Sequence, residues 1–131
     1  MRAFFVCAIV LLFGGSSAAA GCAQDILTFD TWEIDPIDDD TNRLTTNFTF
    51  VGDKPIRMLD ASAGFEDVLG ERIASFAMEK DLTLSKGDAH QEIGRWGRNT
   101  FERLLDMNPD DVVTKLCVRA VVYQDGTVEK F

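Results

Sequence analysis

Leu44-Thr45-Thr46-Asn47-Phe48-Thr49-Phe50-Val51 decides the fold class of this chain. Successive side chains of an extended strand point to opposite faces. Leu44, Thr46, Phe48 and Phe50 therefore share one face, and Thr45, Asn47, Thr49 and Val51 share the other, the pattern of a half-buried strand. Gly52-Asp53-Lys54-Pro55 follows with turn chemistry. Upstream, Ile26-Leu27-Thr28-Phe29-Asp30-Thr31-Trp32-Glu33-Ile34 is rich in the β-branched and aromatic residues that suit a pleated surface. Pro36 and the run Asp38-Asp39-Asp40 close that stretch with a loop.

Downstream, residues 56–65 place Ile56, Met58, Ala61, Ala63 and Phe65 inward, and the phase change predicts a bulge near Leu59-Asp60. Residues 66–70 turn the chain. Residues 72–78 and 81–84 read as two strand pieces; Ile73, Phe76, Ala77 and Lys80 also fit helical spacing, but closely spaced turn signals favour strand. After the turn Ser85-Lys86-Gly87-Asp88, residues 92–96 form a short strand weakened by Gly94 and Gly97. Residues 100–107 suit a helical turn or two about as well as an extended path. Asn108 caps a single helical turn, with Pro109 at its first position and Asp110 and Asp111 complementing its dipole.

Residues 112–123 then give a long strand, with Val112, Thr114, Leu116, Val118, Ala120 and Val122 on one face and Lys115, Arg119 and Tyr123 on the other. Asp125-Gly126 is a strong hairpin signal, and residues 127–131 return as the last strand. About seven short strands with turns roughly every 8–12 residues predict an all-β, antiparallel β-sandwich with one short helical turn.

The chain opens with Arg2 and the apolar run Ala3-Phe4-Phe5-Val6-Cys7-Ala8-Ile9-Val10-Leu11-Leu12-Phe13, followed by small residues through Ala20. A positive start, a short apolar core and a small-x-small end describe a secretory signal peptide. The run is shorter than the roughly 20 residues a bilayer span needs. Residues 1–23 are assigned to the leader and residues 24–131 to the sandwich domain. Ala18-Ala19-Ala20 and Gly21-Cys22-Ala23 both fit a cleavage site, before Gly21 or before Gln24. Ala19-Ala20-Gly21-Cys22 also resembles a lipobox, which would lipidate Cys22 and anchor the protein in the cell envelope. The expected location is periplasmic or secreted, with the lipid anchor as alternative.

The formal net charge of −9 gives an acidic surface without a basic patch to displace counterions, which argues against nucleic acid and anionic lipid as partners. A membrane becomes a partner only if Cys22 carries lipid. Cys22 and Cys117 leave three readings open: a disulfide between them, lipid on Cys22, or Cys117 as a lone buried thiol acting as a small hydrophobe.

Catalytic signatures are sparse. His90 is the only histidine, it sits in a turn-like setting that reads as exposed, and no G-x-S-x-G accompanies it. Asp35, Asp38, Asp39 and Asp40 offer oxygens for calcium, yet lack the spacing and glycine of a calcium loop. Arg95-Trp96-Gly97-Arg98 is the surface candidate: Arg95, Trp96 and Arg98 in a loop-like segment suit stacking on a sugar or anchoring a protein. The alternative for Trp96 is a core role. No cofactor is expected, and no enzymatic activity.

Asn47-Phe48-Thr49-Phe50-Val51-Gly52-Asp53-Lys54-Pro55-Ile56, Phe65-Glu66-Asp67-Val68-Leu69-Gly70 and Leu84-Ser85-Lys86-Gly87-Asp88 together resemble the FxLYD-type group of small exported bacterial immunoglobulin-like domains. The resemblance covers residues 26–90; residues 94–131 depart from it. It implies an immunoglobulin-like sandwich and a non-catalytic binding or accessory module of the envelope, with another envelope protein as partner.

Overall fold

A computed structural model describes residues 21–131; residues 1–20 of the leader assigned to residues 1–23 lie outside the described residues. Seven strands form two antiparallel sheets. The strands are β1 (Leu27–Pro36), β2 (Thr41–Phe50), β3 (Ile56–Asp67), β4 (Arg72–Ala77), β5 (Ala89–Gly97), β6 (Val112–Tyr123) and β7 (Val128–Lys130). One sheet runs β1-β2-β5 and the other β4-β3-β6-β7. Adjacent strands in each sheet therefore include pairs distant in sequence, β2 with β5 and β3 with β6, which is the Greek-key arrangement of an immunoglobulin-like sandwich. A single helical turn α1 (Arg103–Asp106) and a 3-10 turn (Pro109–Asp111) lie between β5 and β6.

The core follows the alternation of β2: Leu44, Thr46, Phe48 and Phe50 are all buried. Phe65 on β3 meets Phe29 and Trp32 of β1 and Phe101, at ring-centroid distances of 5.7, 5.4 and 6.0 Å. Edge-to-face contacts of this kind add to the burial of apolar area. Trp32 is only half-buried, packed against the core from the β1 side.

Alternation breaks where the register shifts. On β3 the shift falls between Ile56 and Met58, so Met58 is exposed and Leu59 takes the inward place. A second shift sets Asp60 opposite Ala120 and Ala61 opposite Val118, leaving Arg119 as the extra residue on β6. Beyond it the faces of β6 exchange: Val118 and Val121 are buried, while Ala120 and Val122 are not. A single extra residue turns every later side chain to the other face. Residues 81–84 form no strand; Leu84 makes one isolated bridge to Ile56. Residues 72–77 are strand rather than helix, and β5 runs longer than residues 92–96. The Asp125-Gly126 turn closes β6 onto β7, with Gly126 at φ 89°, a conformation costly for other L-residues.

The capped turn at Pro109 is as expected: the Asn108 side chain accepts the Asp110 N–H at 3.0 Å. The segment before it is held by Asp67. That buried carboxylate accepts the N–H groups of Leu69 and Glu71 at 2.9 and 3.0 Å and pairs with Arg103 of α1 at 2.8 Å. One side chain thus orders the β3–β4 turn and fixes α1 beside it. The Glu71 N–H bond, then Arg103, hold its carboxyl below the ordinary range. A lowered folded pKa contributes stability above the unfolded value of about 3.9 and loses it as pH falls through the folded value. Acid unfolding of Asp67→Asn should therefore be less steep in that window than wild type, and parallel curves would contradict this.

Candidate functional site

Gly21 precedes Cys22, which is joined by a disulfide to Cys117 on β6, and the Ala23 N–H donates to the Val118 carbonyl at 2.9 Å. Residues 22 and 23, assigned to the leader, are thus attached to the second sheet. Cys117 is half-exposed on the outer side of β6, since its neighbour Val118 points inward, so it is not a lone buried thiol. A disulfide and a lipid thioether both require the sulfur of Cys22 and exclude each other.

Arg95, Trp96 and Gly97 lie on β5 rather than in a loop. Trp96 faces inward and packs against Phe76 and Phe101, at centroid distances of 6.2 and 5.3 Å. Its indole folds over Gly94, where an added Cβ would stand 2.6 Å from Nε1. Gly94 is therefore needed for this packing, and Trp96 serves the core. Arg95 projects from the outer face, opposite Arg43 of β2. Arg98 turns to the acidic loop: its N–H donates to the Asp40 carbonyl at 2.8 Å and its guanidinium to the Asp39 carbonyl at 3.2 Å. Glu102 pairs with the same guanidinium at 3.4 Å.

The structure therefore brings Arg98 and the acidic loop together, but separates Arg95 and Trp96 from them. The loop carboxylates do not converge. Asp35 pairs with Arg43 at 3.5 Å, and Asp38 accepts the Asp40 N–H at 2.9 Å in a local turn. Among the described residues no group of three or more acidic, histidine or cysteine side chains is arranged to hold a metal ion.

His90 is not exposed. It faces inward on β5, stacked at 6.4 Å on Phe48, with Nε2 3.2 Å from Glu92 Oε1. The same carboxylate oxygen accepts the Glu79 N–H at 2.6 Å. This group ties the inner side of β5 to Glu79, in the chain leaving β4.

The opposite side is open. β1 is an edge strand, paired with β2 on one side only. Along it, between β1 and the segment carrying α1, runs a groove of about 510 Å³. Trp32, Ile34, Leu104, Leu105, Met107 and Pro109 supply its apolar wall, and Asp30 and Glu33 stand at its rim. Asp67, through Arg103, positions the α1 wall. The sequence offered one signal for this groove, the undecided residues 100–107, whose apolar side chains had no assigned partner. Leu104 is buried and Leu105 is left 38% exposed.

A second, smaller cavity of about 270 Å³ opens at the end where β2, β6 and β7 meet, with Tyr123 and Lys54 in its wall. The Tyr123 hydroxyl donates to Glu129, and the Lys54 ammonium sits 4.4 Å over the ring. The hydrogen bond to Glu129, with burial and nearby acidic charge, pushes the phenol up to about 12. A raised folded pKa gives stability that is complete below the unfolded value of about 10 and is lost as pH rises toward the folded value. Tyr123 is the only tyrosine of the chain, so tyrosinate absorbance reports it alone. The native protein should titrate well above free tyrosine, and Glu129→Gln should lower the midpoint; a midpoint unchanged by that substitution would contradict the assignment.

Comparison with protein-family models, with curated proteins and with solved structures finds no match.

Proposed function

We propose that this chain is an exported, non-catalytic binding or accessory module of a bacterial cell envelope, acting by recognition of another envelope protein. The observation that carries the reading is the open side of the sandwich, where a ten-residue edge strand borders an apolar groove. Unpaired strand edges are templates for pairing with another chain, and folds that do not use them cover or shorten them. Here β4 has six residues and β7 three, while β5, the other long edge, carries the polar His90–Glu92–Glu79 group on its inner side.

The Cys22–Cys117 disulfide supports export, because such bonds form and persist in oxidising compartments. The leader-like residues 1–20 agree with it, as does the resemblance of residues 26–90 to FxLYD-type exported domains. Cleavage before Gly21 keeps Cys22 and is the site consistent with the disulfide. The calcium and carbohydrate readings lose their footing, since Asp35 and Asp38 are separately bonded, the four aspartates form no metal-holding group, and Trp96 is turned into the core.

Cross-linking in the native host tests the reading. The envelope fraction should contain a discrete adduct between this chain and a second envelope protein. Recovery of the chain in the cytoplasm, or only as an unlinked species in the envelope, would contradict it.

A further inference from the structure

From the β1 groove we infer that the partner docks as an extended strand along residues 31–35 of β1, apolar at alternate positions and basic at those between. The inference rests on the proposed binding function and names its surface and its ligand chemistry. β1 has a free edge, so its backbone offers hydrogen bonds that only another extended chain satisfies in series. The register of β1 shifts between Phe29 and Thr31, so the regular edge begins at Thr31 and ends where Pro36 stops the strand.

The groove beside that edge is apolar, with Leu105 38% exposed and Trp32 half-buried at its wall. Every second side chain of an added strand falls on the same face as Trp32 and Ile34 and fills this space. The alternate side chains fall with Glu33, on a molecule of net charge −9, which selects lysine or arginine there. β1 itself carries no basic residue, so nothing on the strand opposes such a ligand.

The test uses the disulfide-bonded protein and a fluorescent peptide of about seven alternating valine and lysine residues, the length of a common strand. Binding should be saturable and should slow amide exchange in residues 31–35. Leu105→Asp fills the groove with charge, and Glu33→Lys reverses the rim; each should weaken binding by about tenfold or more. Ile93→Asp, on the outer face of β5, should leave it unchanged. If Leu105→Asp fails to fold, Glu33→Lys and the exchange footprint on the unaltered protein still decide. Equal binding by Glu33→Lys, slowed exchange on β5 in place of β1, or no binding of the peptide would overturn the inference. An envelope adduct that persists in Leu105→Asp and Glu33→Lys would overturn it while leaving the binding function in place; loss of the adduct in both, with Ile93→Asp unaffected, would support it.

Discussion

Replacing Cys22 and Cys117 together by Ser lowers stability by about 3–5 kcal/mol, the largest effect expected of any change outside the core. The bond joins residues 95 apart, so its loss frees nearly the whole domain in the unfolded state. For a loop of that order the chain-entropy estimate is about 4–5 kcal/mol. Locally, the bond and the Ala23–Val118 hydrogen bond attach residues 22 and 23 to the second sheet before the chain crosses into β1. A domain of this size has roughly 5–15 kcal/mol in total, so the variant stands near the limit of folding at growth temperature. Denaturant unfolding of the native protein with and without reductant, beside the double variant, checks this. The reduced protein and the variant should coincide; a loss below about 1 kcal/mol would show that the bond does not hold the fold.

Phe65→Ala is the second. Phe65 is 1% exposed and touches aromatic rings from β1 and from the segment after β5, so it joins both sheets at one point. Deleting a buried phenylalanine ring costs about 3–5 kcal/mol, the transfer of the ring plus the cavity it leaves. Phe65→Leu keeps most of the volume and should cost less than half as much, about 1–2 kcal/mol. Because Trp32 rests on Phe65, the near-ultraviolet circular dichroism should lose intensity in both variants. Equal stability of the two would mean that the cluster is loosely packed and does not position the β1 side.

The strands that alternate cleanly were legible. β2 shows its buried face in its own spelling, and Asn108-Pro109-Asp110-Asp111 states its cap and its first turn. What the sequence concealed were the points where one residue is added to a strand. Nothing in the composition of β6 marks Arg119 as extra, so Ala120 and Val122 read as inward and Val121 as outward. Arg95-Trp96-Gly97-Arg98 misled for a related reason. Glycines that usually weaken a strand here make room for an indole, and the segment became the inner face of an edge strand. Beyond the unpartnered apolar residues of 100–107, the β1 groove was hidden from local pattern, because its two walls are separated by some seventy residues of chain. His90 looked exposed among polar neighbours, yet register placed it opposite Phe48.

One measurement reaches the proposed export and the Cys22–Cys117 closure of the sandwich directly: the intact mass of the protein isolated from its native host, before and after reduction. The expected chain begins at Gly21, carries no acyl group and gains the two hydrogens of one disulfide on reduction. A chain that begins at Gln24, or at an acylated Cys22, would contradict it, since neither has the thiol that holds the start of the fold to β6.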